Sequence, residues 1–183
     1  MKPFILFITG SSASGKTTLY ESLQTDAALT GLEFHDMDEN GVPAVGRGPW
    51  RAFRAQELLY AAGRAHDEGR SSIICGNVQP HEIIESVYFK QAYNVHFLYL
   101  EIPLSALRAR TKERIREHEA RGTFDESFNK SGYARVVQSN REFARRVKVS
   151  VLNQKNGHVL RTGRLTKAEM HAAAVRLTKE ISH

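Results

Sequence analysis

A chain of 183 residues, 41% hydrophobic and 25% charged, has the length and balance of one globular domain over residues 1–183. That composition excludes a disordered polymer and a collagen-like repeat, and no apolar run approaches the roughly 20 residues that cross a bilayer. The net charge of +6 is concentrated, with twelve Lys/Arg against six Asp/Glu between Arg108 and Lys148. Such a segment attracts nucleic acid or closes over a polyphosphate, although i,i+4 ion pairs on a solvated helical face account for part of it. The apolar run after Lys2 is too short for a signal-peptide core, and the single Cys75 permits no internal disulfide, so a cytoplasmic protein is expected. Monomer and homodimer both remain open.

Residues 4–9, FILFIT, form an apolar run ended by Gly10, the pattern of a strand buried on both faces of a parallel sheet. A helix opens near Lys16, with Leu19 and Leu23 four apart, and residues 32–36 alternate like a short strand. A long helix is predicted over 50–69, with Trp50, Phe53, Leu58 and Ala61/Ala62 on its packed side and Gly69 ending it. A strand at 71–75, a helix over 80–91 opened by Pro80, a strand at 95–101 and a basic helix over 103–120 come next. Residues 121–132 carry turn chemistry, and a further helix is expected from Tyr133.

Residues 147–161 read in two ways. Val147, Val149 and Val151 alternate like a strand and Asn156-Gly157 suits a hairpin turn, while a helix running into one last strand over 158–162 fits as well. The final helix is announced by the capping-box pair Thr166 and Glu169. The order predicts an α/β fold, a three-layer α/β/α arrangement around a five-stranded parallel sheet.

The most specific signal is GSSASGKT at 10–17, which satisfies G-x-x-x-x-G-K-S/T between a buried strand and a helix. In that setting the amides of Gly10, Ser11, Ser12, Ala13, Ser14 and Gly15, with the helix N-terminus, cradle a polyphosphate. Lys16 is expected to reach the β and γ phosphates, Thr17 to bind Mg²⁺, and Thr18 to contact the α phosphate of ATP. The second signal is Asp36 and Asp38, one residue apart where the second strand ends. Ligands of open α/β sheets lie beyond the carboxyl ends of the strands. Residues i and i+2 of an extended segment share a face, so these acids can divide the work. Asp36 would hold the metal, and Asp38 would accept the proton of an attacking hydroxyl. Their bland alternative is a turn.

Phosphate loop, paired acids and an arginine-rich helix after strand four together resemble the P-loop small-molecule and nucleotide kinases. The resemblance implies a helical lid over about residues 115–132, with Arg110 stacking on the adenine and Arg114 neutralising the transferring phosphoryl group. It also implies base contacts from the loop 161–165. The acceptor motifs match none of these kinases cleanly. CGNVQ at 75–79 replaces the Asp-Gly-Phe-Pro-Arg of nucleoside monophosphate kinases and the Gly-rich turn of shikimate kinases. RGPW at 47–50 and Cys75 are similar to gluconate kinases, but Ala44 and Gly46 stand where those carry acids. A small-molecule hydroxyl is therefore the expected acceptor, with a nucleotide or nucleic-acid 5′ end, or a regulatory ATPase switch, as alternatives. Arg47, Arg51 and Arg54 could bind an anionic acceptor, and Asn77 and Gln79 could hydrogen-bond one. His35 alternates away from the acids, Cys75 reads as packing, and no zinc spacing is present among the histidines.

Overall fold

The computed structural model describes residues 2–43, 47–122 and 130–183. In chain order the elements are β1 (Ile5–Thr9), α1 (Lys16–Gln24), a 3-10 turn (Ala27–Leu29), β2 (Glu33–Asp36), α2 (Arg47–Asp67), β3 (Ser72–Cys75) and α3 (Pro80–Ile84). They continue with β4 (Val95–Glu101), α4 (Leu104–Ala120), α5 (Lys130–Leu152), β5 (Gly157–Arg161) and α6 (Lys167–Ile181). The five strands form one parallel sheet in the order β2-β3-β1-β4-β5.

The centre of the sheet falls on β1 because its sequence offers no polar face. Ile5 and Phe7 enter an apolar cluster with side chains of α2, α3 and α5, and Leu6 and Ile8 enter a second one with α1 and α6. Each of these four residues is fully buried, at about 1.5–3 kcal/mol of hydrophobic stabilisation apiece. Phe7 stacks on Phe97 of β4 with ring centroids 5.6 Å apart. The result is three layers, helix, sheet and helix, as the alternation of elements predicts.

The packed face of α2 and the ends of several helices differ from the sequence reading. On α2 the packed stripe is Ala55, Leu58, Leu59, Ala62 and Ala65, which leaves Phe53 63% exposed and Ala61 on the outer side. The helix also starts earlier, at Arg47, and ends at Asp67. The helix after Pro80 stops at Ile84, because Ser86 Oγ accepts the Tyr88 N–H (3.2 Å) and gives the backbone a turn instead of a ladder. The ambiguity at 147–161 resolves to a helix followed by one strand: Val147 and Val151, four apart, are fully buried while Val149 is 54% exposed. α5 starts at Lys130 rather than Tyr133. Of the expected lid, residues 115–120 complete α4, Arg121 and Gly122 form a turn, and residues 123–129 lie outside the described residues.

Candidate phosphate-binding and transfer site

The loop after β1 is held open by local constraints. Thr9, fully buried, donates its hydroxyl to the Val78 carbonyl (2.6 Å), fixing the end of β1 against the segment that follows β3. At Gly10 an added Cβ would stand 2.8 Å from Ser14 Oγ and 2.9 Å from the Leu100 carbonyl, so no side chain is accommodated there. Gly15 caps α1 with φ of 98°, in the left-handed region that glycine occupies without strain. Ala13 adopts φ of 63°, the one non-glycine residue with positive φ among the described residues. These turns wrap the loop back on itself, with the Ser14 N–H donating to the Ser11 carbonyl (3.2 Å).

A triphosphate fits this cradle on two observations. The Ser11 and Ser14 hydroxyls are buried without a partner, and Lys16 Nζ folds back to donate to the carbonyls of Gly10 and Ser11, both at 3.0 Å. Burial pushes the Lys16 ammonium down to about 8, with the charges of Arg51 and Arg114 adding to the effect and that of Asp38 opposing it. An ammonium so desolvated gains from any anion that enters. Thr17 is exposed on the first turn of α1 and Thr18 is half-buried beside it.

The arginine pair converges on the same loop. Arg110 Nη1 donates to the Ala13 carbonyl (3.1 Å), and Arg114 Nη1 to Ser12 Oγ (3.1 Å), so one face of α4 lies over the phosphate cradle. From the other side Thr162, in the loop expected to contact the base, donates to the carbonyls of Ser14 (3.4 Å) and Glu101 (3.2 Å). Met170 of α6 lies under Gly15, 3.6 Å from where its Cβ would be. The braces from Thr9, Thr162 and Met170 escaped sequence reasoning because each joins residues far apart in the chain.

The two aspartates meet by a different route from the one expected. β3 separates β2 from β1, so the acids stand one strand away from the loop rather than directly beside it. Asp38 lies beyond the strand in a turn, where its N–H donates to Asp36 Oδ1 (2.9 Å). The turn geometry brings both carboxylates within electrostatic reach of Lys16. Desolvation raises the Asp36 carboxyl, the bond from the Asp38 N–H opposes that, and the Asp38 charge adds to it. The hydroxyl of Thr17 and these carboxylates are hard oxygen donors, suited to Mg²⁺. Among the described residues no three His, Cys, Asp or Glu side chains form a cage. A cation here would thus keep phosphate oxygens and water in its shell.

The remaining candidates divide. Asn77 Oδ1 is buried without a partner just past β3, whereas Gln79 lines a groove of ≈ 620 Å³ between α3 and α5 with His81, Arg145 and Arg146. Arg54 is engaged by Glu57 (3.5 Å) and Glu39 (3.9 Å). Burial drives the Cys75 thiol up to about 12, consistent with packing alone. Desolvation lowers His35, whose ring faces Glu33 at 3.5 Å. Glu101, the acid at the end of β4, is taken by Lys148 (2.5 Å) and Arg161 (3.2 Å), and the Lys148 bond holds its carboxyl below the usual range.

No protein-family model and no curated protein sequence matches the chain. Solved structures do. A sugar kinase from Janibacter sp. HTCC2649 superposes with a TM-score of 0.62 at 19% identity, covering 99% of both chains. A gluconokinase from Sinorhizobium meliloti 1021 gives 0.58 at 18%, over 99% of this chain and 94% of that one. A tRNA isopentenylpyrophosphate transferase from Bacillus halodurans gives 0.58 at 12%, over 99% and 98%. At these identities the likeness is one of fold. Sheet order, phosphate loop and neighbours define a P-loop kinase-like fold over the whole length compared.

Proposed function

We propose that this protein is an ATP-dependent phosphotransferase, with Mg²⁺ as cofactor, that moves the γ-phosphoryl group to a hydroxyl of a small molecule. The observation that carries the reading is the convergence of Lys16, Arg110 and Arg114 on one glycine-bounded loop, with Asp38 within electrostatic reach of the Lys16 ammonium. The kinase names of two structural neighbours accord with it. When bound, the nucleotide supplies the phosphoryl group and the cation shields its charge. The loop amides and Lys16 bind the β and γ phosphates, while Thr17 and Asp36 hold the cation. Arg110 serves the nucleotide side and Arg114 offsets charge on the phosphoryl group in flight. Asp38 takes the acceptor's proton as the acceptor oxygen bonds to the γ phosphorus and the β–γ bridging oxygen leaves with ADP.

The test is ADP formation against a panel of sugars, sugar acids, polyols, nucleosides and oligonucleotide ends. Release that depends on acceptor and Mg²⁺ and disappears in Lys16→Ala supports the proposal. Slow release indifferent to every acceptor refutes it in favour of a regulatory switch; such a switch calls for a free acid where β3 or β4 ends, and those places hold Cys75 and Glu101, the latter paired with Lys148 and Arg161. Transfer to a nucleic-acid end is a second reading, supported by Arg108, Lys112 and Arg116, exposed at i,i+4 spacing on α4. Acceptor binding would then weaken steeply with salt, as it would not for a neutral sugar.

A further inference from the structure

We infer that His171 is a positioning residue for the phosphate loop: it sets where α1 stands along its own axis, and so where Lys16 and Thr17 meet a nucleotide; this rests on the kinase reading above. Gly15 caps α1 and Lys16 opens it, so loop and helix move as one piece. Any slide of the helix carries the Lys16 ammonium and the Thr17 hydroxyl with it. Leu19 and Leu23 hold α1 in an apolar cluster with Met170, Ala174 and Leu177 of α6. Hydrophobic burial is non-directional, so it fixes the spacing of the two helices more firmly than their register.

Two successive residues of α6 act on opposite ends of α1. Met170 lies under Gly15, at the first turn, with its Cε 3.6 Å from where a Gly15 Cβ would stand. His171 reaches the far end, where its Nε2 donates to Asp26 Oδ2 (2.6 Å) and its Nδ1 lies 3.1 Å from Ser22 Oγ. Both partners are themselves anchored. Asp26 Oδ1 accepts the Ala28 N–H (2.7 Å), and Ser22 Oγ donates to the Leu19 carbonyl (2.7 Å). The Ala28 bond first, and the His171 bond after it, hold the Asp26 carboxyl below the usual range. Hydrogen bonds are directional, and those of the His171 ring set the height of α1 against α6.

α6 is a firm reference for that clamp. Its first turn is closed by a capping box, in which Thr166 Oγ1 accepts the Glu169 N–H (3.2 Å) and Glu169 Oε2 accepts the Thr166 N–H (2.7 Å). Among the described residues no other side-chain hydrogen bond or ion pair joins residues 16–26 to α6. Without the ring, α1 keeps its apolar packing and loses its axial stop. A misplacement of about 1 Å costs up to about a hundredfold when it reaches reacting groups. Here it displaces a binding lysine and a hydroxyl, so a loss of about tenfold in nucleotide affinity is expected.

The experiment is titration calorimetry of ADP, well below the melting temperature of every variant, together with ATP and acceptor KM values. His171→Ala should weaken ADP and raise the ATP KM by about tenfold, leaving the acceptor KM within about twofold. Asp26→Asn, which keeps an oxygen for the Ala28 N–H, should lose affinity in the same direction. The double variant should be no weaker than the weaker single one, because both remove one bond. His171→Gln, whose amide can reach Asp26 from about the place of Nε2, should keep most of the affinity. Leu177→Ala, in the same helix and cluster, should lower the melting temperature and leave ADP affinity unchanged. Native ADP affinity in His171→Ala and Asp26→Asn, whatever their melting temperatures, would overturn the assignment. So would an equal loss in Leu177→Ala, or additive losses in the double variant. Failure of the kinase reading looks different: ADP binding that depends on His171, with no acceptor-dependent ADP formation from any probe. A native protein that binds no ADP overturns both.

Discussion

The displaced proton affinity of Lys16 gives the sharpest prediction, because it converts the geometry of the loop into a pH dependence of nucleotide binding. Burial pushes this ammonium from 10.5 down to about 8. A bound triphosphate places negative charge against it and restores a high proton affinity, so binding above about pH 8 must take up a proton. One unit above the free value only about a tenth of the molecules carry the charge beforehand, and affinity falls about tenfold, or about 1.4 kcal/mol, for each further unit. Calorimetry of ADP binding at about pH 7 and pH 9, in buffers of unlike ionisation enthalpy, measures both quantities. Proton uptake should rise from near zero toward one. Lys16→Arg, which stays charged throughout, should show no such slope. Folding has the opposite pH dependence: the unfolded chain keeps this proton up to 10.5, so the protein gains stability as pH rises from about 8 toward that value. An affinity constant across this range, with no proton uptake, would refute the claim that Lys16 is desolvated in the free loop.

Asp38→Asn should leave ADP affinity within about twofold while lowering acceptor-dependent turnover by 10² to 10⁴, roughly the span general-base catalysis supplies; unchanged turnover removes Asp38 from that role. Gly15→Ala has room, with Met170 3.6 Å away, so its cost comes from φ of 98° alone, about 1–2 kcal/mol, visible as a lower melting temperature and weaker nucleotide binding. At the opposite end of the sheet His96 bonds Asn94 Oδ1 (2.9 Å) and His158 Nε2 (3.2 Å) under α6, and burial, then His158, push it down to about 4. A histidine held neutral gives stability that is complete above about 6.5 and lost as pH falls toward 4, up to about 3 kcal/mol. Melting curves should therefore drop over that window in the native protein and drop less in His96→Gln. Parallel curves would mean that His96 is not the group responsible.

What the sequence conveyed and what it withheld follow the range of the interactions involved. The loop after β1 was legible because its conformation is set locally: Gly10, Gly15, Lys16 and Thr17 lie within eight consecutive residues, 10–17, between a buried strand and a helix. Arg110 and Arg114 were reached only through the resemblance; their i,i+4 spacing puts them on one helix face, and they meet the loop at the Ala13 carbonyl and Ser12 Oγ. The aspartates were found, but their geometry was misjudged. Extended spacing was assumed where Asp36 instead caps a turn onto the Asp38 N–H, a local bond that a Gly-Pro-rich stretch favours. Strand order could not be read at all, because β2 and β3 exchange places relative to β1 through crossovers whose lengths do not encode adjacency. The stripe on α2 was misphased for a physical reason as well. Phe53 looks more like core than Ala55 does, yet a helix lying close on a sheet wants small side chains in the contact, and Ala55, Ala62 and Ala65 are the residues buried. The alanine stripe lets α2 lie close on the sheet and leaves Arg54 to its glutamates, Glu57 at 3.5 Å and Glu39 at 3.9 Å.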